Sequence, residues 1–369
     1  MGTGKIHASA MAIKNTKGLV TTMAAVIIIV VIFSIVAIKI EQSREQGQSL
    51  AYKVRCDELS SFLDDITRDL QRATSITAKR AAVYSTGLVT HNGTVFASAD
   101  TALNEMILNA SLNNTKVSDL KNETLENWTE KISTLAVQRG FATNLNISLF
   151  VVNTTPVSHS EFWARIRIQG LSINDSFGYC DFAGNIPRET NWINGNVSIS
   201  GFEDLLYVYM AKGYVSRTIV FDATPVALHD DSNVLTQDLL NKKYHAVYDA
   251  PSFFERLEGR LATGNDTARH NYYLGKAAQA LNDNGVLVTT ENVTIGMETF
   301  VDVNELQTYV PTEVQAAMIK TNQSVIDHIF FGPANKGKKV ENISVSYPWF
   351  RMDDAHATTY GISQSHLYE

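Results

Sequence analysis

The sequence predicts an α+β protein in which an N-terminal transmembrane helix continues into a long amphipathic helix, followed by a β-rich mixed ectodomain. Three observations predict this. Residues 19–38 read LVTTMAAVIIIVVIFSIVAI, twenty residues without a charge. Apolar residues then recur every three or four positions through residue 76. After Gly140 the pattern shifts to short runs rich in β-branched and aromatic residues.

At 1.5 Å of rise per residue, twenty residues make a helix of about 30 Å, the thickness of a bilayer's hydrocarbon core. The buried helix of a soluble protein is normally shorter and carries a polar stripe, and residues 24–33 carry none. Residues 19–40 are therefore predicted to cross a lipid bilayer. Residues 1–18 hold Lys5, Lys14 and Lys17 and no acidic residue, whereas Lys39 is soon followed by Glu41, Arg44 and Glu45. The positive-inside rule makes 1–18 a cytoplasmic segment and everything beyond the span extracellular, a single-pass protein of the cell membrane. A second plausible start at Met11 leaves the same charge pattern. The apolar core is too long for a cleaved secretory signal, and no A-x-A site follows it.

Residues 41–82 continue as an amphipathic helix. Leu59, Phe62, Leu63, Ile66, Leu70, Ala73 and Ile76 form its apolar stripe, with Asp57, Glu58, Asp64, Asp65, Arg68, Asp69 and Arg72 between them. No Pro or Gly occurs from Gln48 to Thr86. Such a stripe serves a domain of the same chain or a neighbouring helix, so self-association or binding to other surface proteins joins the bilayer as a predicted interaction.

The ectodomain is read as two α+β regions, 83–205 and 206–369. Helices are predicted at 99–109 and at 118–139, the second placing Leu120, Trp128, Ile132 and Leu135 on one face and ending at Gly140. Leu145–Val152 and Phe162–Ile173 read as strands. In the latter Trp163, Arg165 and Arg167 alternate with apolar residues and form a solvated face. Trp192–Ser200 is a further strand candidate, with a tight turn at Asn194-Gly195. Ser252 and Glu255 after Pro251 form a capping box opening a helix through Leu261, which buries Phe253, Phe254, Leu257 and Leu261. Thr312 and Gln315 after Pro311 open a short second one. Val286–Ile295 and Met297–Val303 read as strands, and Tyr347–Phe350 as a buried C-terminal strand.

The 369 residues carry 31 basic and 38 acidic side chains. Setting aside Lys5, Lys14 and Lys17 leaves 28 against 38, a net charge of −10 for residues 19–369. That balance argues against nucleic acid as a partner. Asn-X-Ser/Thr occurs at Asn92, Asn109, Asn113, Asn122, Asn127, Asn146, Asn153, Asn174, Asn196, Asn265, Asn292, Asn322 and Asn342, none with proline in the middle. These are 13 of the 27 asparagines. Roughly four are expected by chance from the Ser and Thr content, and all lie on the predicted outer side, so N-glycosylation is predicted there. Cys56 and Cys180 also fall outside the membrane, where an oxidising environment permits a disulfide between them.

No catalytic signature is present: no phosphate-binding loop, no His-Glu-x-x-His, no Gly-x-Ser-x-Gly and no Cys-x-x-Cys. Two clusters, His229 with Asp230 and Asp231, and Asp353 with Asp354 and His356, contain metal-ligating residue types, but exposed acidic turns beside a histidine are usually idle. The prediction is a non-enzymatic protein without a cofactor, a catalytic residue or a metal.

Lys17-Gly18 directly before the apolar span, a continuous helix beyond it and a sequon-rich head together resemble the type IV pilin-like surface proteins of archaea. The resemblance covers about residues 14–80. It implies cleavage by a prepilin peptidase between Gly18 and Leu19, and a helix that stays in the membrane or packs into a filament. Many pilins carry Glu at the fifth mature position, where this chain has Met23. The stretches PSFFERLEGRL (251–261), GMETFVD (296–302), SVIDHIFF (324–331) and WFRMDDAHATTYGI (349–362) are similar to membrane-anchored euryarchaeal proteins without an assigned activity. The expected function is a pilin-like subunit or adhesin. A ligand-binding receptor-type ectodomain is the alternative, and an ectoenzyme resting on the two Asp/His clusters is third.

Overall fold

The computed structural model describes residues 9–120, 124–189, 192–221, 233–260, 267–315 and 337–369. Contacts divide the chain into two units: residues up to Leu63 with Asn174–Asp181, and residues 64–173 with 182–369. The protein is mixed α+β.

Helix α1, Ser9–Asn92, is a single helix of 84 residues. It begins inside the segment predicted as cytoplasmic and runs ten residues past the predicted end at 82. Gly93 stops it, with φ +65° and its N–H donating to the Val89 carbonyl at 3.1 Å. Glycine adopts this left-handed position without the Cβ penalty other residues meet.

In the first unit α1 is long and apolar enough to cross a membrane. The large apolar side chains from Val20 to Ile40 are 47–70% exposed. Its hydroxyls are satisfied by the helix itself: Thr21 and Thr22 donate to the Gly18 carbonyl, and Ser34 to the Val30 carbonyl at 2.8 Å. Such internal pairing is what a polar group needs where no water is available. Further along, Leu59, Phe62 and Leu63 are buried.

In the second unit the buried side of α1 continues through Ile66, Leu70, Thr74, Ala78, Ala81 and Ser85. This corrects the predicted stripe at its outer end. Ile76 is 53% exposed and Ala73 only half-buried. A strand packs tightly at Thr74 and Ser75: a Cβ on Gly195 would lie 2.8 Å from the Ser75 backbone nitrogen and 2.9 Å from Thr74 Cγ2, while Ser85 meets Met106 Sδ of the next helix at 3.7 Å.

Helices α2 (Ala99–Asn109) and α3 (Leu125–Gln138) follow. Thr124 caps α3 by accepting from the Asn127 N–H at 3.4 Å, and Gly140 follows its end at φ +78°. Leu125, Trp128, Ile132 and Ala136 form its buried side; Leu135, predicted to share it, is only half-buried. The sheet comprises β1 (Phe141–Thr143), β2 (Phe150–Pro156), β3 (Glu161–Asp175), β4 (Asp181–Ile186) and β5 (Ile193–Ser198). The long β3 is its centre and pairs with all four others. It runs antiparallel to β2, with Phe150 opposite Ile168, and antiparallel to β5, with Ile166 opposite Ile193. Ala164, Ile166, Ile168, Leu171 and Ile173 on β3 are all fully buried. Asn194-Gly195 lies inside β5 instead of forming a turn. The glycine is there for close approach to α1, a demand that sequence alone makes indistinguishable from a turn.

Among the described residues beyond 200, helices outweigh strands, so the predicted β-rich character is seen in residues 141–198. The described helices beyond 200 are α4 (Leu205–Met210), α5 (Asn233–Asn241), α6 (Phe253–Leu257), α7 (Thr267–Asp283), α8 (Val303–Tyr309), α9 (Thr312–Gln315), α10 (Ile343–Ser346) and α11 (Asp354–Thr359), and the described strands there form two short antiparallel ladders, β6 (Tyr244–Ala246) against β7 (Met297–Thr299) and β8 (Lys339–Val340) against β9 (Leu367–Tyr368). The Ser252 capping box forms as predicted, but α6 ends at Leu257, and Leu261 lies outside the described residues. Residues 286–295 are not a strand: they are irregular with one 3₁₀ turn at Thr290–Asn292, and Leu287 is 93% exposed. Tyr347–Phe350 forms a turn after α10, with Phe350 fully buried in a core shared with Tyr207, Leu235, Phe300 and Met352.

Candidate functional site

The C-terminal acid–histidine cluster is the densest set of titratable side chains that the sequence pointed to. Asp353 sits just before α11 and receives the His356 N–H at 3.1 Å, an N-terminal cap that brings His356 back over it. The His356 ring then faces a carboxylate at each nitrogen: Asp353 Oδ2 is 2.6 Å from Nδ1, and Glu298 touches Nε2. Tyr360, just past the end of α11, donates to the other Glu298 oxygen at 2.6 Å. His356 and Glu298 are fully buried and Asp353 nearly so. Asp354 points away and pairs with Lys338 at 3.1 Å.

Glu298 is the residue sequence reasoning missed. It is 58 positions from His356, and its neighbours Met297 and Thr299 are also buried, so no alternation marks it. Opposite it in the β6–β7 ladder stands His245, which pairs with Asp238 and has its ring edge-on to Phe300 and Tyr360. The result is a set of hydrogen-bonded acid–histidine contacts tying β7 to α11. Among the described residues no group of three or more His, Cys, Asp or Glu is arranged to hold a metal ion. His229, Asp230 and Asp231 lie outside the described residues.

Two further networks brace the second unit. Asp100, in the first turn of α2, accepts from Lys276 at 2.7 Å and Tyr272 at 2.7 Å, and pairs with Arg269 at 3.3 Å. Burial pushes its carboxyl up, but the hydrogen bonds from Lys276, Ser98 and Tyr272 outweigh that and hold it well below the usual carboxylate range. The same contact, after burial, pushes the Tyr272 hydroxyl up to about 12. Arg269 also reaches Glu258 at 2.5 Å, and Glu258 accepts the Ala99 N–H at 2.9 Å. In the other network the His270 ring lies 2.9 Å from Glu255 and 2.8 Å from the Tyr248 carbonyl. Burial works to lower its pKa, and the hydrogen bond and charge of Glu255 raise it above the ordinary value.

The face of β3 carrying Trp163, Arg165 and Arg167 is not solvated as predicted. Arg165 is buried and pairs with Asp283 at the end of α7, and Trp192 stacks 4.9 Å from the Arg165 guanidinium and 4.7 Å from that of Arg167. The aliphatic stems and flat guanidinium groups let both arginines line a covered face.

Cys56 and Cys180 are free thiols, which corrects the predicted disulfide. They are nevertheless neighbours within the first unit. The Cys56 thiol donates to the Tyr179 carbonyl at 3.9 Å, and Arg55 binds Asp175 through Nε at 2.9 Å and Nη2 at 2.5 Å. Burial and then the hydrogen bond with Cys56 push the Cys180 thiol up to about 12. A thiol held protonated is a poor nucleophile for disulfide formation.

Ten of the 13 sequon asparagines are described. Asn92, Asn113, Asn146, Asn174, Asn196, Asn292 and Asn342 are exposed, and Asn109, Asn127 and Asn153 are half-buried. Asn122, Asn265 and Asn322 lie outside the described residues. Gly18 and Leu19, the predicted cleavage junction, lie within α1, and Gly18 is exposed. A groove of about 560 Å³ opens beside α3, lined by Asn109, Lys116, Ser118, Glu126, Asn127 and Glu130. Comparisons with protein-family models, with curated proteins and with solved structures found no match.

Proposed function

We propose that this chain is a non-enzymatic, N-glycosylated cell-surface protein held by one membrane-spanning helix, with its N-terminus in the cytoplasm and the α+β head outside. The observation that carries the reading is the exposed apolar surface of α1 from Val20 to Ile40. Monomeric soluble proteins rarely expose a contiguous apolar patch larger than a few hundred Å². Twenty-one residues exposed on every side of a helix exceed that, and lipid is the solvent that such a surface fits. The three lysines before the span support the orientation, and the exposure of seven of the ten described sequon asparagines agrees with glycans facing solvent. The unbroken helix running from before Gly18 into the head supports a pilin-like subunit or adhesin.

Native membranes test this. Alkaline carbonate should leave the protein in the pellet, and its intact mass should exceed the polypeptide's by the weight of several saccharides. Release into the supernatant, or an unmodified mass, would count against anchoring or glycosylation respectively. Crosslinking of intact cells tests the pilin-like part: ladders of multimers support it, and a strictly monomeric band refutes it. The groove beside α3 favours one second reading, capture of a small polar ligand, because its volume falls within the usual range of ligand sites.

A further inference from the structure

N-glycan transfer joins the Nδ2 of asparagine to the anomeric carbon of a lipid-linked saccharide. The bond from that carbon to the lipid phosphate breaks, the phosphate leaves with its electron pair, and the amide loses a proton. The transferase reads the asparagine together with the hydroxyl two residues on, so both must be reachable in the acceptor. The fold treats that second residue very differently from site to site.

At four sequons the hydroxyl is sealed. Ser111 is buried and donates to the side chain of its own Asn109 at 2.6 Å. Thr129 lies inside α3, buried, and donates to the Leu125 carbonyl at 2.7 Å. Thr155 is buried in β2 opposite Trp163 and donates to the Pro156 carbonyl at 3.3 Å. Ser344 is buried and bridges the Val340 N–H at 2.8 Å and the Phe350 carbonyl at 3.0 Å. At four others the asparagine and the hydroxyl are both exposed, and the segment is a turn or an element end: Asn92 with Thr94 at the end of α1, Asn113 with Thr115 in a tight hairpin, Asn146 with Ser148 in a 3₁₀ turn, and Asn174 with Ser176 at the tip between β3 and β4. Ser148 also donates to the side chain of its own Asn146, so burial of the hydroxyl, not its hydrogen bond, divides the two groups. Asn196 lies on a paired strand and Asn292 has a half-buried Thr294, so each meets only one of the two conditions.

We infer that the folded protein is an acceptor of lipid-linked saccharide at Asn92, Asn113, Asn146 and Asn174, and is closed to it at Asn109, Asn127, Asn153 and Asn342. The inference rests on the glycoprotein reading above and adds which sites the fold permits. It is tested with full-length protein made in a host lacking N-glycosylation, purified in detergent, and incubated with membranes that hold the transferase and its lipid-linked saccharide. Synthetic peptides spanning the same eight sequons are run in parallel, and site occupancy is read by peptide mass spectrometry. All eight peptides should accept saccharide. In the folded chain the sealed four should be occupied about tenfold less than the open four or lower, because reaching a sealed hydroxyl first requires a local opening. Equal occupancy of the two groups in the folded chain would overturn the division while leaving the glycoprotein reading intact. Failure of every peptide and of the protein would overturn both.

Discussion

Gly195→Ala probes the contact that joins the sheet to the long helix. Gly195 lies inside β5, between Asn194 and Asn196, and carries no positive φ, so an alanine there meets no backbone penalty. The cost is steric. The new Cβ would lie 2.8 Å from the Ser75 nitrogen, 2.9 Å from Thr74 Cγ2 and 3.0 Å from the Thr74 carbonyl carbon. Two of these three atoms are helix backbone, which cannot swing aside as a side chain does. Overpacking a core typically costs about 1–3 kcal/mol, and the upper part of that range applies where backbone must move. We expect a loss of about 2–3 kcal/mol, read as a lower urea midpoint with an unchanged slope when tertiary-structure circular dichroism is followed on detergent-solubilised protein. Adding Thr74→Ser removes only the Cγ2 contact, so it should recover a minor part of the loss. A change below about 0.5 kcal/mol, within the range of ordinary surface substitutions, would refute the claim that β5 is pressed against α1 at this point.

Three other outcomes follow from the buried charges and the span. Glu298→Gln leaves His356 and Asp353 in place but removes the carboxylate that receives both His356 and Tyr360; a loss of about 3 kcal/mol is expected in the same unfolding assay. Stability should vary with pH in two windows. The Asp100 carboxyl is depressed, so its contribution is present above about pH 4 and fades as pH falls, and Asp100→Asn should flatten the acid limb of a stability–pH curve. His270 is raised, so its contribution is complete below about pH 6.5 and is lost as pH climbs through the raised value; His270→Gln should remove that decline. Ile29→Lys with Ile32→Lys places two charges mid-span at an insertion cost of about 5–7 kcal/mol, comparable to what the remaining apolar side chains contribute, and should lower the fraction of protein that stays in the membrane pellet after alkaline carbonate.

The features legible in the sequence were those with local causes. Leu59, Phe62, Leu63, Ile66 and Leu70 keep helical spacing and are large, so periodicity found their buried side. It lost the trail at Thr74, Ala78, Ala81 and Ser85, because small and polar residues buried by close packing look like surface residues. The Ser252–Glu255 capping box was readable because its hydrogen bonds span three residues. Glu298 was not, because its partner is 58 positions away and a buried carboxylate is recognisable only once the histidine beside it is known. Arg165 and Arg167 read as solvent-facing for the same reason: Trp192 and Asp283, which cover and pair them, are remote in sequence. For the cysteines the sequence could count two thiols beyond the apolar span. It could not show that the Cys56 thiol donates to the Tyr179 carbonyl, or that burial and the hydrogen bond with Cys56 push the Cys180 thiol up. Sequons, by contrast, are local by definition; the burial of their second hydroxyl is not.

In the proposed topology, residues beyond the apolar span face the cell exterior and the lysine-bearing N-terminus faces the cytoplasm. Protease treatment of intact cells, followed by mass spectrometry of the released and protected peptides, tests it directly. Peptides from the head beyond residue 41 should be released from intact cells, with residues 1–18 cut only after the membrane is permeabilised. Protection of the head in intact cells, or cleavage within residues 1–18 before permeabilisation, would contradict it.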